Sequence, residues 1–209
     1  MKKRLVIFDM DGTLQDSSDA IANAINHVRS RLMLPPMRKE TIIRKINDPY
    51  LNPAEFFYES ERFEPRHEEW FSEYYSANHR DELRLYDGVD DLLRELKERG
   101  CLIGLATNAY RRSTVESLSH LGIDRFFDAL ACYDDVEHGK PSPEMLLRIL
   151  GELSVEAENA VFVGDGHRDR IAARKAGIDF LTVNWGFSVH MGAIGKVEDL
   201  KETLLDMCS

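Results

Sequence analysis

The sequence predicts an α/β fold in which a parallel sheet carries helices on both faces and one helical domain is inserted. Short apolar runs alternate with amphipathic segments of helical period from about residue 85 onward. Such alternation is typical of a parallel sheet covered on both faces. An earlier apolar run, Leu5 to Phe8, is separated from this alternation by residues 15–84, which show no strand pattern. We therefore expect an α/β core formed by residues 1–14 and 85–209 and an inserted helical domain formed by residues 15–84.

The first strand ends in two carboxylates. Leu5 to Phe8 fit a short buried strand, and Gly12 marks the turn beyond it. Asp9 and Asp11 lie on the same side at the carboxyl end of this strand, which is the edge where ligands bind in open α/β sheets. Two neighbouring carboxylates repel each other and hold a divalent cation readily. Taken alone, the Asp-x-Asp-Gly motif fits a turn that merely ends the strand about equally well.

The inserted segment has the features of a small helical domain. Ser17, Ser18 and Asp19 can cap a first helix, and Pro35-Pro36 and the stretch 47–53 divide the remainder into short helices. Aromatic side chains spaced four residues apart predict packing between helices instead of a ligand site; the pairs are Trp70 with Tyr74 and Phe71 with Tyr75.

The second half of the chain supplies the remaining strands and helices. A helix from Val89 to Leu96 is followed by Gly100 as its C-terminal cap. The remaining elements follow the same alternation, with strands predicted at 101–106, 128–132, 160–163 and 180–183. Helices are predicted at 111–121 and 197–207, and two further helices are predicted, one that begins at Pro143 and one that ends at Ala176.

Composition and charge limit the possible partners. Apolar residues make up 43% and charged residues 31% of 209 residues, as in globular proteins. The formal net charge of −10 argues against nucleic acid and anionic membranes as main partners. No apolar stretch reaches membrane-spanning length, and the run after the basic N-terminus is too short for a signal peptide. Three widely spaced cysteines, Cys101, Cys132 and Cys208, predict reduced core thiols and a cytoplasmic protein.

Polar residues follow several of the predicted strands. Thr107 and Asn108 come after the second strand, Lys140 lies beyond the third, and Asp165 follows the fourth. Carboxylates hold a metal, hydroxyl and amide groups donate to phosphate oxygens, and a lysine offsets negative charge. This set, added to Asp9 and Asp11, is suited to handling a phosphoryl group.

The ordered set of motifs resembles the haloacid dehalogenase superfamily, specifically its phosphatase branch with a helical (C1) cap inserted after the first motif. The matches share their order and their place at strand ends; they are Asp9-Met10-Asp11-Gly12-Thr13, Thr107-Asn108, Lys140-Pro141-Ser142-Pro143-Glu144 and Gly164-Asp165-Gly166-His167-Arg168-Asp169. The likeness runs from about residue 4 to about residue 187. It implies a Rossmann-like sheet of strand order 5-4-1-2-3, which places Asp9 and Asp165 on neighbouring strands.

The resemblance also implies a role for each matching residue. Asp9 would be the nucleophile that forms an aspartyl-phosphate, and Asp11 the general acid and then the base. Mg²⁺ would be held by the Asp9 carboxylate, the Asp11 backbone carbonyl and Asp165, with Asp169 supporting the site. The residues that would orient the transferring group are Thr107, Asn108 and Lys140.

The implied activity is Mg²⁺-dependent hydrolysis of a small phosphorylated metabolite, most like that of phosphoglycolate phosphatase. A phosphomutase of the β-phosphoglucomutase kind shares all four motifs and is the alternative enzyme. A phosphatase-like protein kept only for binding or regulation is disfavoured because Asp9, Asp11, Lys140 and Asp165 are all intact. A dehalogenase is disfavoured because those relatives lack Asp11 and the metal-binding acids. We expect a monomer or a weak homodimer.

The cap carries one candidate for substrate selection. The segment Arg44 to Tyr50 resembles the substrate-facing loop of the cap in relatives, with Asn47 where they often have Gly. Arg44 could meet an anionic group on the leaving half of the substrate. Arg44 and Lys45 are equally compatible with a solvated helix face.

Overall fold

The computed structural model describes residues 2–46, 48, 50–187 and 190–208. Five parallel strands form the main sheet, namely β1 (Leu5–Phe8), β2 (Leu102–Ala106), β3 (Ala129–Ala131), β4 (Ala160–Gly164) and β5 (Asp179–Thr182). Their order across the sheet is β3-β2-β1-β4-β5. This is the predicted order 5-4-1-2-3 seen from the opposite edge, so the predicted fold class is confirmed.

Side chains alternate along β1 between two apolar layers. Val6 and Phe8 join the layer that contains Leu92 and Leu200, whereas Leu5 and Ile7 join the opposite layer. Because the sheet is covered on both faces, every residue of β1 is fully buried. The core helices are α5 (Val89–Glu98), α6 (Arg111–His120), α7 (Glu144–Leu153), α8 (His167–Ala176) and α9 (Val197–Cys208).

The segment between β1 and α5 is helical, as expected. It contains α1 (Ser18–Arg31), α2 (Lys39–Ile46), α3 (Pro53–Tyr58) and α4 (Pro65–Glu82). These helices bury an apolar cluster of their own, which includes Ile25, Val28, Ile42 and Phe57. Of the two predicted aromatic pairs, Phe71 stacks on the buried Tyr75 with ring centroids 5.9 Å apart, whereas Trp70 packs against the apolar cluster.

A short antiparallel pair joins this helical segment to the core. Gln15–Asp16 pairs with Arg84–Leu85, so the two ends of the segment leave the core side by side. The predicted division at residues 14/15 and 84/85 falls within this pair, and the division into two domains stays a prediction. Asn47, predicted in the substrate-facing loop, lies outside the described residues, as does Pro49. Among the helices described, none is both long and apolar enough to cross a membrane.

The start of α1 differs from the prediction. Ser17 occupies the N-cap position, but its side chain makes no capping hydrogen bond. The Asp16 carboxylate accepts a hydrogen bond from the Ser18 backbone N–H instead, at 3.0 Å. The Ser17 hydroxyl is used elsewhere, at Asp11.

Candidate active site

Three buried carboxylates meet at the carboxyl ends of β1 and β4. Asp9 follows β1 and Asp165 follows β4, two strands that lie side by side in the sheet. Asp169 comes from the first turn of α8. One carboxylate oxygen of each residue lies within 4.8 Å of the others, and all three residues are less than 7% exposed. The neighbouring-strand placement predicted for Asp9 and Asp165 is therefore present.

Two glycines make room for these carboxylates. Gly12 has φ of +83°, and a Cβ there would lie 2.7 Å from Asp165 Oδ2. A Cβ at Gly164 would lie 2.7 Å from Asp169 Oδ2. Since real Cβ atoms do not approach an oxygen this closely, both positions require glycine while the carboxylates keep their places.

Lys140 places its ammonium group inside the cluster. Its Nζ lies 2.5 Å from Asp9 Oδ1 and 2.8 Å from Asp169 Oδ1, and it donates to the Ala106 carbonyl at 2.8 Å. Burial lowers the pKa of Lys140, but the nearby Asp169 and Asp9 carboxylates outweigh burial and raise it overall. Lys140 is therefore a charged, fully enclosed cation beside the predicted nucleophile.

Asn108 holds the backbone of Lys140 in place. Its Oδ1 accepts a hydrogen bond from the Lys140 N–H at 2.8 Å, and its Nδ2 donates to the Lys140 carbonyl at 3.0 Å. Thr107 is buried at the end of β2, where its Oγ1 accepts a hydrogen bond from the Ala109 N–H at 3.1 Å. The two hydrogen bonds of the Asn108 side chain thus fix the position of the Lys140 backbone.

Asp11 lies next to the cluster and is held by two donors. Gln15 Nε2 and Ser17 Oγ donate to Asp11 Oδ1 at 2.8 and 2.6 Å, and both donors belong to fully buried residues. Burial raises the pKa of Asp11, while the hydrogen bonds from Ser17 and Gln15 and the charge of Lys140 oppose the rise. An acid whose pKa is raised is suited to carry a proton for part of a reaction cycle.

The cluster fits a divalent cation. Three carboxylates beside the single ammonium of Lys140 leave an excess of negative charge in a buried place. Burial, together with the neighbouring Asp169 and Asp165, raises the pKa of Asp9, and Lys140 opposes this. A bound dication would favour the ionised form of each carboxylate, and carboxylate oxygens are ligands that hard cations prefer.

Arg44 lies apart from this cluster, on α2. Within the described residues, no hydrogen bond or ion pair joins it to Asp9, Lys140 or Asp165. It is exposed and lines a cleft of about 350 Å³ between the inserted helical segment, residues 15–84, which we call the cap, and the α/β core. Trp185 and Phe187 line the same cleft. The Phe187 N–H donates to Asp165 Oδ2 at 2.8 Å, so one loop borders both the cleft and the carboxylates.

Sequence reasoning missed several residues that shape the site. Gln15 and Ser17 were not identified as partners of Asp11, although they follow it by only four and six residues. Trp185 Nε1 donates to the Thr13 carbonyl at 3.1 Å, and Arg168 donates to the Asp48 carbonyl in the cap at 3.0 Å. These contacts join distant parts of the chain and carry no local sequence signal.

Comparison with known proteins agrees with this fold. The sequence profile of the haloacid dehalogenase-like hydrolases matches residues 6–183. The chain belongs to this family and is an enzyme of the phosphatase kind. Its buried acidic cluster fits the divalent metal that hydrolases of this family generally use.

Proteins similar to this chain carry several different names. The pyrophosphatase PpaX of Bacillus cereus strain Q1 is 32% identical over 99% of both chains. A crystal structure described as a predicted phosphoglycolate phosphatase, from Haemophilus somnus 129PT, is 24% identical with a TM-score of 0.78, over 91% of this chain and 89% of that one. A candidate β-phosphoglucomutase from Thermotoga maritima is 26% identical with a TM-score of 0.75, over 97% and 99% of the two chains. At this level of identity, the Haemophilus structure shows only that the two chains share a fold.

Proposed function

We propose that this protein hydrolyses a small phosphate monoester with Mg²⁺ through an aspartyl-phosphate on Asp9, in the manner of a phosphoglycolate phosphatase. The observation that carries the proposal is the Asp9 carboxylate at the end of β1, in contact with the Lys140 ammonium and beside two further carboxylates. A carboxylate approaches a phosphate dianion only where positive charge cancels their repulsion.

The covalent steps use Asp9 and Asp11. An Asp9 oxygen forms a bond to phosphorus as the ester P–O bond breaks, and Asp11 gives its proton to the departing oxygen. Asp11, now a carboxylate, takes a proton from water, and the resulting hydroxide oxygen attacks phosphorus. The Asp9–phosphorus bond breaks, which releases inorganic phosphate and restores both side chains.

Mg²⁺ would be held by the carboxylates of Asp9 and Asp165 and by the Asp11 backbone carbonyl. It would supply positive charge against the transferring phosphoryl group. All-oxygen ligands favour Mg²⁺ over Zn²⁺. Asp169 already accepts from Lys140 and from the Gly166 N–H at 2.9 Å, which favours a supporting position for it.

Phosphate oxygens would be bound by Thr107, Asn108 and Lys140. The Thr107 hydroxyl can donate while its oxygen accepts from Ala109. We assign Asn108 a role through its backbone N–H, because its side chain is engaged with the Lys140 peptide. Lys140 would offset the charge of the phosphoryl group.

Pyrophosphate is a second candidate substrate, favoured by the likeness to PpaX across nearly the whole chain. Pyrophosphate and phosphoglycolate both present a second anionic group, which Arg44 could bind at the cleft. The mutase alternative has support from the Thermotoga maritima structure. A mutase would need a bisphosphate activator and would release little phosphate.

A panel of phosphorylated compounds with Mg²⁺ separates these activities. We expect phosphate release from phosphoglycolate or pyrophosphate, and no dependence on a bisphosphate activator. Rapid-quench mass spectrometry should find phosphate on Asp9 in the wild type. Asp9→Asn should remain folded by circular dichroism and release no phosphate. Phosphate on another residue, or unchanged turnover in Asp9→Asn, would contradict the proposal.

We propose a small phosphorylated metabolite as the partner, with no nucleic acid or membrane partner, since the net charge is −10. We also propose a cytoplasmic location and a monomeric or weakly dimeric state. Light scattering at several protein concentrations tests the last of these.

A further inference from the structure

Two cysteines outside the active site lie where the chain folds back on itself. Cys101 directly precedes β2, and Cys208 is the last residue of α9. Their neighbours bind consecutive residues of the N-terminal segment: the Leu102 N–H donates to the Arg4 carbonyl at 2.9 Å, and the Lys3 N–H donates to the Met207 carbonyl at 2.7 Å. Residues 101 and 208 are thereby held close to each other, although 106 residues separate them in the chain.

Both cysteines lie in the apolar core. Both residues belong to one apolar cluster and are only 4% and 3% exposed. Burial, and after it the neighbouring Cys101 thiol, raise the pKa of Cys208 to about 12. The active-site residues are at the opposite, carboxyl end of the strands, so the proposed mechanism does not use this pair.

We propose that Cys101 and Cys208 form a redox-sensitive dithiol, which a small-molecule disulfide oxidises to an intramolecular disulfide that fixes α9 to β2. The thiolate of one cysteine attacks the external disulfide, whose S–S bond breaks, and one small thiolate departs. The second cysteine attacks the mixed disulfide and expels the other small thiolate. The two protons of the cysteines end on the two released thiols, and the two cysteine sulfurs are oxidised as the external disulfide is reduced.

Burial makes this oxidation slow in the closed structure. A thiol with a pKa of about 12 is almost entirely protonated at neutral pH, and the protonated form is not the nucleophile. Cys101 and Cys208 are also both buried, so an external disulfide reaches them only after opening at the end of α9, where terminal helical turns fray. Once formed, the bond closes a loop that contains β3, β4 and β5, which restricts the unfolded chain and stabilises the fold.

The test exposes the full-length, Mg²⁺-loaded protein to oxidised glutathione and maps its tryptic peptides without reduction. Cys101 lies in peptide 100–111, Cys208 in peptide 202–209 and Cys132 in peptide 126–148. We expect a linked pair of the first two peptides, an intact mass lower by two hydrogen atoms, and a Tm higher by roughly 5–10 °C. Reduction with dithiothreitol should reverse all three changes.

Cys132 provides a matched control, because it too is buried and its pKa is raised, to about 11, mainly by burial. Cys132→Ala should keep the oxidation and the Tm shift, whereas Cys101→Ala and Cys208→Ala should lose both. Peptide mapping of the wild type decides the matter even where a variant folds poorly. A glutathione adduct without the internal bond, a bond that includes Cys132, or no oxidation would overturn the proposal. These readouts are mass and Tm, so such a result leaves the proposed phosphatase activity untouched.

Discussion

The Ser17 hydroxyl donates a 2.6 Å hydrogen bond to Asp11 Oδ1, from the residue immediately before the first cap helix. Gln15, in the short strand pair that joins cap and core, donates to the same oxygen. Because Oδ1 accepts both bonds, the proton of a protonated Asp11 resides on Oδ2, the oxygen free to face a leaving group. The orientation of the proposed general acid is therefore set by residues at the base of the cap.

Ser17→Ala should weaken proton donation by Asp11. A hydrogen bond to a charged group contributes about 1.5–3 kcal/mol, so we expect kcat/KM to fall roughly 10- to 100-fold on an alkyl phosphate. An aryl phosphate should lose much less, because its leaving group needs little protonation. Ser30→Ala, on the outer face of the same helix, is the control. Equal losses on both esters would contradict the orienting role.

Gly164→Ala should disturb the carboxylate cluster through Asp169. The added Cβ would lie 2.7 Å from Asp169 Oδ2, so the carboxylate that pairs with Lys140 must shift. We expect a free energy of unfolding lower by roughly 1–3 kcal/mol, together with loss of phosphatase activity. Gly151→Ala, in α7 with open space around it, should instead raise stability by roughly 0.5–1 kcal/mol and leave activity unchanged. Urea unfolding and phosphate release measure both.

The core of the fold could be predicted because each strand is a short apolar run between helical patterns. The strands at 5–8 and 160–164 are fully buried, and burial on both faces produces continuous apolar sequence. Ser17 occupies the predicted N-cap position of α1 but makes no capping hydrogen bond, because a serine at an N-cap position can bind another group when one lies nearby. No local pattern reveals that the group here is Asp11.

The carboxylates and Lys140 could be predicted because they follow buried strands that end at one edge of the sheet. The hydrogen bonds between the Asn108 side chain and the Lys140 backbone could not be predicted, because the two residues are 32 positions apart. Trp185 was missed for the same reason: its contact with the Thr13 carbonyl spans 172 positions. Such pairs depend on the fold as a whole.

Mg²⁺ should stabilise the folded protein. Binding to the native cluster at a hundred times its Kd contributes about 2.7 kcal/mol, which thermal unfolding detects as a higher Tm. EDTA should remove both this shift and the phosphatase activity. Asp165→Asn should show no Mg²⁺-dependent shift, whereas Asp206→Asn, on the exposed face of α9, should match the wild type. Full activity in EDTA would be incompatible with the proposed metal dependence.

The cap should lose stability in mild acid through His67. This side chain is 1% exposed, and burial lowers its pKa in the folded protein. In the unfolded chain histidine binds a proton near pH 6.5, so the unfolded state takes up more protons as the pH falls below that value. The contribution of His67 to stability is therefore constant at higher pH and declines between about pH 6.5 and its lowered pKa. His67→Gln should show a shallower fall of Tm between pH 7.5 and 5.5 than the wild type, whereas the exposed-site control His138→Gln should not.

Arg44→Ala should distinguish substrates by their leaving groups. Arg44 lines the cleft between cap and core and makes no ion pair within the described residues, so its guanidinium is available to an anion. We expect kcat/KM for phosphoglycolate or pyrophosphate to fall roughly 10- to 100-fold, as for the loss of a charge-assisted hydrogen bond. An aryl phosphate with an uncharged leaving group offers nothing for Arg44 to bind and should keep its kinetics. Arg38→Ala is the control, because that exposed arginine pairs with Glu40 and does not line the cleft. Equal kinetics of Arg44→Ala and wild type on all substrates would assign Arg44 to a solvated helix face.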